Sequence, residues 1–393
     1  MTSSLLSTVH ILQMEDISTE ELLTVLRYAS GTYDNLKIAF VCDNAPIPKR
    51  DTLLRELSDT VTVEVFNTVQ PNPHTEDIQS MADDGRFSDT DSIVAVGGGS
   101  VMDSAKALAM LAVNGGVLEE YLGNTPVRKI EKRSLPLIAI PTTAGTGSEV
   151  TRVGVYTSRS GRKFTLGSPL MSAHTALLCG SFIDTIPAPL CASTGLDALD
   201  HALESIWNKN ATPVTRHAAE RAAIAVLTTL PELYRAIVHK KQDRRQLQKD
   251  MLAASCMAGI AFSITGTAGG HALSFVLSED WHVPHGTACA FTLPEIFDWA
   301  CADKETVKSL AAIERHFHPE IAEEEKLVQL LRQTISSLIA EMNIPQKFRD
   351  LNISLHEDDL DERFSRTFSD PKMHNQLPVL TKESLHRILK GKL

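Results

Sequence analysis

Apolar residues in the first half of the chain fall into short unbroken runs separated by polar stretches. "KIAFVC" (37–42), "VTVEVF" (61–66), "SIVAV" (92–96) and "LPLIAI" (135–140) have strand length and are bounded by turn residues. Runs of this kind suit strands covered on both faces. Between them lie helical segments such as "TLLRELSD" and "HTEDIQSMADDG". The alternation predicts parallel strands joined by crossover helices, an open α/β sheet. "RVGVYTSRSGRKFTLG" (152–167) departs from it, because two alternating runs around "SRSGR" predict a β-hairpin.

After the Pro-rich "DTIPAPLCAST" (184–194) strand signals largely disappear. Helices are expected over 194–208, 213–238, 245–262, 285–302, 304–317 and 322–343. The fold class expected is therefore an α/β domain over 1–190 followed by an all-α domain over 191–393. From Met251 to Ser278 no residue carries a fixed charge, which is long enough to suggest a membrane span. Gly259, Gly266, Gly269, Gly270 and His271 interrupt that stretch, so core helices broken at "TGTAGG" are the better expectation.

Composition adds limits. With 393 residues, 43% hydrophobic and 22% charged, the chain exceeds what one core usually fills. A net charge of −11 without a basic stripe argues against nucleic acid or anionic lipid as a partner. Cys42, Cys179, Cys191, Cys256, Cys289 and Cys301 lie far apart without a Cys-x-x-Cys pair, the usage of buried free thiols in a reducing compartment. The opening "MTSSLLSTVHILQ" lacks the basic segment of a secretory signal. A cytoplasmic protein is expected, with no membrane and a small molecule as its partner.

Three stretches carry chemistry. In "SIVAVGGGSVMDSAKALAML" (92–111) a strand runs through Gly97, Gly98 and Gly99 into a helix whose start aims free N–H groups and a positive dipole end at one space. A pyrophosphate would fit there, with Lys106 further along. The plainer alternative is a capping box between Ser100 and Asp103. The run is not G-x-G-x-x-G, so an ordinary Rossmann assignment is unsupported. "AIPTTAGTGSEVT" (139–151) offers Thr142, Thr143, Thr146 and Ser148 after a second strand, where open α/β sheets bind ligands.

The third stretch is "GLDALDHALES" (195–205). Asp197 and His201 are four apart and share a face of an otherwise apolar helix. Burying them is costly unless something pairs with them. "GGHALSFVLSEDWHVPHGTACAF" (269–291) adds His271 and His285 beside glycines and small residues. Together the four could surround a divalent metal, and nitrogen and oxygen ligands without sulfur suit Fe(II) or Zn(II).

"GGGSVMDSAKA", "PTTAGTGSEVT", "GLDALDHALES" and "VPHGTACAF" occur in an order and spacing that resemble the iron-containing (group III) alcohol dehydrogenases. The resemblance runs over most of the chain. It implies a dinucleotide-binding α/β domain and a helical metal-binding domain, with NAD(P) and metal meeting in the cleft between. It places metal ligands on Asp197, His201, His271 and His285. It places the cofactor loops on Gly97, Gly98, Gly99 and Ser100, with Asp103 and Lys106 behind, and on Thr142, Thr143 and Ser148. The activity implied is reversible hydride transfer between NAD(P)H and a small aldehyde or alcohol. A lyase resembling dehydroquinate synthase and a non-catalytic assembly protein of the same fold are the alternatives, and a homodimer is compatible with either half.

Many members carry a further histidine four residues after the third ligand to relay a proton, and here that position is Phe275. His282 is the nearby candidate relay. Phe275 and "LDALDHALESIWNKNATPVT" resemble the branch of the family associated with phosphonate metabolism, which implies phosphonoacetaldehyde or a related substrate. Its negative charge calls for a cation. Arg152, Arg159, Arg162 and Lys163 in the hairpin are candidates for it. Asp43, directly after "KIAFVC", is expected to bond the adenosine ribose and favour NAD over NADP.

Overall fold

The computed structural model describes residues 9–393 except Asn124. They divide into two units. One holds the described residues up to Ile186 together with Asp243–Cys256, and the other holds Pro187–Gln242 with Met257–Leu393.

The first unit is built on eight strands: β1 (His10–Met14), β2 (Lys37–Cys42), β3 (Thr62–Phe66), β4 (Ser92–Gly97), β5 (Leu137–Pro141), β6 (Val153–Thr157), β7 (Lys163–Gly167) and β8 (Thr175–Cys179). Six of them form a sheet of order β1-β8-β5-β4-β2-β3, every pair parallel. Helices α1 (Thr19–Ser30), α2 (Pro48–Ser58), α3 (Thr75–Ala82) and α4 (Gly99–Asn114) are the crossovers. Period-2 alternation sorts the strands onto two cores. Ile38, Phe40, Val94 and Val96 face α1 and α2, while Ala39, Val41, Ile93 and Ala95 face α3 and α4. β6 and β7 pair antiparallel as the expected hairpin.

Strand order reverses between β2 and β4, the switch point where such sheets bind ligands beyond the carboxyl ends of their strands. Three chain segments leave the sheet there side by side: Asp43 after β2, Gly98 after β4 and Thr142 after β5. Register sets Gly97 opposite Pro141, and the Thr142 N–H donates to the Gly97 carbonyl at 3.0 Å.

The second unit is helical: α5 (Ala188–Ile206), α6 (Pro213–Val238), the end of α7 (Arg245–Thr265), α8 (Gly269–Trp281), α9 (His285–Ala300), α10 (Lys304–Arg315), α11 (Glu324–Glu341), α12 (Glu357–Phe364) and α13 (Lys382–Lys390). α5 is buried along nearly its whole length because glycine lets its neighbours close in. A Cβ on Gly195 would sit 2.3 Å from Leu230 Cδ1 of α6, and one on Gly286 would sit 2.2 Å from the Ser193 carbonyl oxygen. Only glycine admits the first turn of α9, and so His285, against α5.

Several boundaries differ from expectation. α5 starts at Ala188, inside the stretch read as a junction, with Pro189 in its first turn, where the fixed φ of proline suits a helix start. β1, β8, α1, α12 and α13 lie outside the expected elements, and 243–256 belongs to the first unit. No single helix among the described residues is long and apolar enough to cross a membrane. α7 and α8 instead turn by 102° at their break. All six cysteines are free thiols, as their spacing predicts.

Candidate metal centre and nucleotide loops

α5 carries Asp197 and His201 one turn apart, α8 supplies His271 from its first turn, and α9 begins with His285. Three imidazole nitrogens surround Asp197 Oδ1: His271 Nε2 at 3.5 Å, His201 Nδ1 at 3.7 Å and His285 Nε2 at 3.7 Å. These separations are too long for hydrogen bonds. Donors bound at ~2.1 Å around one tetrahedral ion lie about 3.4 Å apart, close to the separation of each imidazole from Asp197 Oδ1. Asp197 Oδ1, His201 Nδ1 and His271 Nε2 are buried with no hydrogen-bond partner. Orphaned polar atoms gathered around one buried carboxylate fit a divalent cation.

The surroundings tune these groups. Burial raises the Asp197 carboxyl, but His201 and His285 outweigh it and hold the group far below the usual carboxylate range. Burial pulls His201 down to about 4, which leaves its imidazole neutral and available as a ligand. Phe262 stacks on the His201 ring at 4.1 Å and fixes its plane. Of the four side chains only His285 has substantial exposure, at 32%, so the centre opens on that side.

A carboxylate absent from the sequence expectations orients His271. Glu204 Oε2 lies 2.9 Å from His271 Nδ1, and Oε1 accepts the His271 backbone N–H at 3.1 Å. The bond assigns the proton to Nδ1 and turns the Nε2 lone pair toward Asp197. Asp200 Oδ2 stands 3.2 Å from the same nitrogen, and burial, then Glu204, pushes its carboxyl up to about 7. Gly270 makes room for both, since a Cβ there would lie 3.0 Å from Glu204 and 3.3 Å from Asp200. Glu204 stands three residues after His201 in "DHALES", a helical spacing that could have flagged it.

The set whose donor atoms all lie within 4.8 Å of one another is Asp197, His271, His285 and Cys289, the last one turn beyond His285, and it does not include His201. Burial pushes the Cys289 thiol up to about 12, so it stays protonated and is a weaker ligand than the neutral imidazole of His201. Phe275 packs 6.4 Å from the His285 ring. His282 is the exposed C-cap of α8, with φ of 55° and its N–H on Leu277. Its backbone role in the turn accounts for its position.

In the first unit, Gly98 caps α4 without any side-chain cap, so the helix start is left for an anion. The two loops seat on one another through glycine. A Cβ on Gly99 would meet Thr146 Cγ2 at 2.7 Å, and one on Gly98 would meet Thr143 Oγ1 at 3.4 Å. No capping box forms between Ser100 and Asp103. Asp103 instead accepts from Ser148 Oγ at 2.7 Å and from the Val155 N–H at 2.9 Å. Lys106 is wholly buried, and its ammonium donates to Ser148 Oγ, Thr151 Oγ1 and the Val153 carbonyl. Burial lowers Lys106 to about 8, with Asp103 and Glu149 opposing. Its three protons are all committed, so Lys106 works behind the loop, tying 148–153 to α4 rather than reaching a phosphate itself.

Asp43 stands at the carboxyl end of β2. Its Oδ1 accepts from Arg50 Nη1 at 3.1 Å and from the Ala45 N–H at 3.0 Å. Arg159 pairs with Glu76 at 3.2 Å, Lys163 donates to Asn72 Oδ1 at 2.8 Å, Arg162 is exposed and Arg152 is half-buried.

Residues 20–179 match the family model described as iron-containing alcohol dehydrogenase, and residues 191–393 match the model of that family's C-terminal part. The chain is 36% identical to long-chain-alcohol dehydrogenase 1 of Geobacillus thermodenitrificans over 61% of its own length and 59% of that relative's. It is 33% identical to 1,3-propanediol dehydrogenase of Citrobacter freundii over 78% of its length and 77% of that protein's. Among solved structures it resembles sulfoacetaldehyde reductase from Bifidobacterium kashiwanohense in complex with NAD+, with a TM-score of 0.84 at 27% identity, covering 100% of this chain and 99% of that one.

Proposed function

The chain belongs to the iron-containing alcohol dehydrogenase family, and we propose that it is a metal-dependent, NAD-linked reductase of a small anionic aldehyde, with phosphonoacetaldehyde as the substrate of choice. The observation that carries the reading is the set of three imidazole nitrogens 3.5–3.7 Å from Asp197 Oδ1. Asp197, His201, His271 and His285 are the proposed ligands of Fe(II) or Zn(II). When bound, such a metal supplies Lewis-acid polarisation of a carbonyl and the nicotinamide supplies the hydride.

The chain's own residues do the rest. Glu204 keeps the proton of His271 on Nδ1 and the ring oriented. The apolar surroundings of α5 and α8 exclude water from three of the ligands. Gly98 and the α4 start hold the pyrophosphate, Thr142 and Thr143 line the adjoining loop, and Asp43 takes the ribose. Support for an anionic aldehyde comes from the likeness to sulfoacetaldehyde reductase and from Phe275. A cytoplasmic setting suits the six free thiols.

Protein purified without oxygen, assayed for metal and for NADH oxidation, tests this directly. Phosphonoacetaldehyde and sulfoacetaldehyde should exceed propanal in kcat/KM, with about one metal per chain. Turnover of none of these aldehydes with metal bound would sink the reductase reading and leave the lyase alternative. An equal kcat/KM for all three would sink only the anionic substrate.

A further inference from the structure

Phe275 stands on α8 one turn after His271, and the structure shows what rests on its ring. Lys372, from the segment Pro371–Asn375 that packs along α8, places Nζ 3.9 Å from the centroid of the Phe275 ring. The separations of 3.9 Å and 6.4 Å along Lys372, Phe275 and His285 put the ammonium within about 10 Å of the His285 ring. Its side chain is 15% exposed, and its ammonium donates to Asp370 Oδ2 at 3.1 Å.

We propose that Lys372, carried on Phe275, is the specificity-determining residue that binds the anionic group of the substrate. The inference rests on the anionic aldehyde reading above and names the residue behind it. An ammonium has three protons, and Asp370 takes one, while Glu204 and Glu279 act on its charge from farther away. The aromatic face attracts the cation without accepting a directed hydrogen bond, so the remaining protons stay available to oxygen atoms. Asp370 also accepts the Lys372 backbone N–H at 2.9 Å, which fixes the base of the side chain before a ligand arrives. A protonated histidine at 275 would repel the lysine, whereas the phenylalanine face attracts it. The bound of about 10 Å between the Lys372 ammonium and the His285 ring leaves room for a two-carbon aldehyde with a phosphonate or sulfonate to reach from one to the other. The alternative is that Lys372 merely latches residues 371–375 onto α8.

The test compares Lys372→Met and Lys372→Arg in the metal-loaded enzyme, with metal content and melting temperature measured on each. The ratio of kcat/KM for phosphonoacetaldehyde over propanal should fall roughly 10- to 100-fold in Lys372→Met, through KM, as expected for loss of a hydrogen bond to a charged group. Lys372→Arg should recover most of the ratio. Methylphosphonate affinity, read by calorimetry, should fall by a similar factor. Lys372→Gln provides the same comparison if the Met variant does not fold. A latch loses both substrates together, so an unchanged ratio and unchanged methylphosphonate affinity in the neutral variants overturns the assignment of Lys372 alone. A wild-type enzyme with no preference for the anionic aldehyde overturns the substrate reading and this inference with it.

Discussion

The Nδ1 of His271 lies 2.9 Å from the Glu204 carboxylate, and both groups are almost completely buried. A buried carboxylate on the far side of a ligand ring fixes its tautomer and raises its basicity. Glu204→Gln keeps the shape and removes the charge, and should weaken metal binding roughly 10- to 100-fold. Competition with a chromogenic chelator measures this, and unchanged metal affinity would remove Glu204 from the site.

Asp43→Gly should narrow the preference for NADH. It removes a carboxylate that repels a 2′-phosphate, and it frees an Arg50 proton now directed at Asp43 Oδ1. The kcat/KM ratio of NADH to NADPH should fall at least about tenfold, the value of one charge-assisted contact. A wild-type enzyme that prefers NADPH contradicts the role given to Asp43.

Gly99→Ala tests the seating of one cofactor loop on the other. The added methyl would lie 2.7 Å from Thr146 Cγ2. Overpacking of this kind costs about 1–3 kcal/mol, and NADH affinity should fall with it. Thr146→Ser removes the obstructing methyl and should restore part of both. Absence of any repair in the double variant would locate the damage elsewhere.

Glu149, 3% exposed, has its carboxyl pushed up to about 7 by burial, with a backbone hydrogen bond and Lys106 opposing. Its folded value lies above the ordinary 4.5, so the folded state binds more protons between those limits. Stability from this group is present below pH ~4.5 and is lost as pH rises through about 7, a change on the order of 3 kcal/mol. Glu149→Gln cannot ionise, so its stability relative to wild type should grow across that window in urea denaturation of the metal-free protein. Parallel profiles would show that Glu149 is ionised in the fold.

What the chain alone determined follows from local periodicity. Unbroken apolar runs marked β2, β3, β4 and β5, and the span of α6 matches its expected limits of 213–238. Asp197 and His201 share a face because helix geometry requires it. β8 is a comparable run, "TALLC", but its neighbours carry no turn signal as clear as "GGG", and β1 is a mostly exposed edge strand without a strong apolar pattern. Tertiary packing decided the rest. Convergence of His271 and His285 on Asp197 depends on Gly286 meeting the Ser193 carbonyl, a contact between residues far apart in the chain. The same holds for Glu204 behind His271, for Lys372 on Phe275 and for Lys106, whose partners at 148–153 come from another loop. Periodicity shows which face of an element is buried. Which side chain ends opposite another is set by how closely the elements approach, and small residues control that approach only once both are in place.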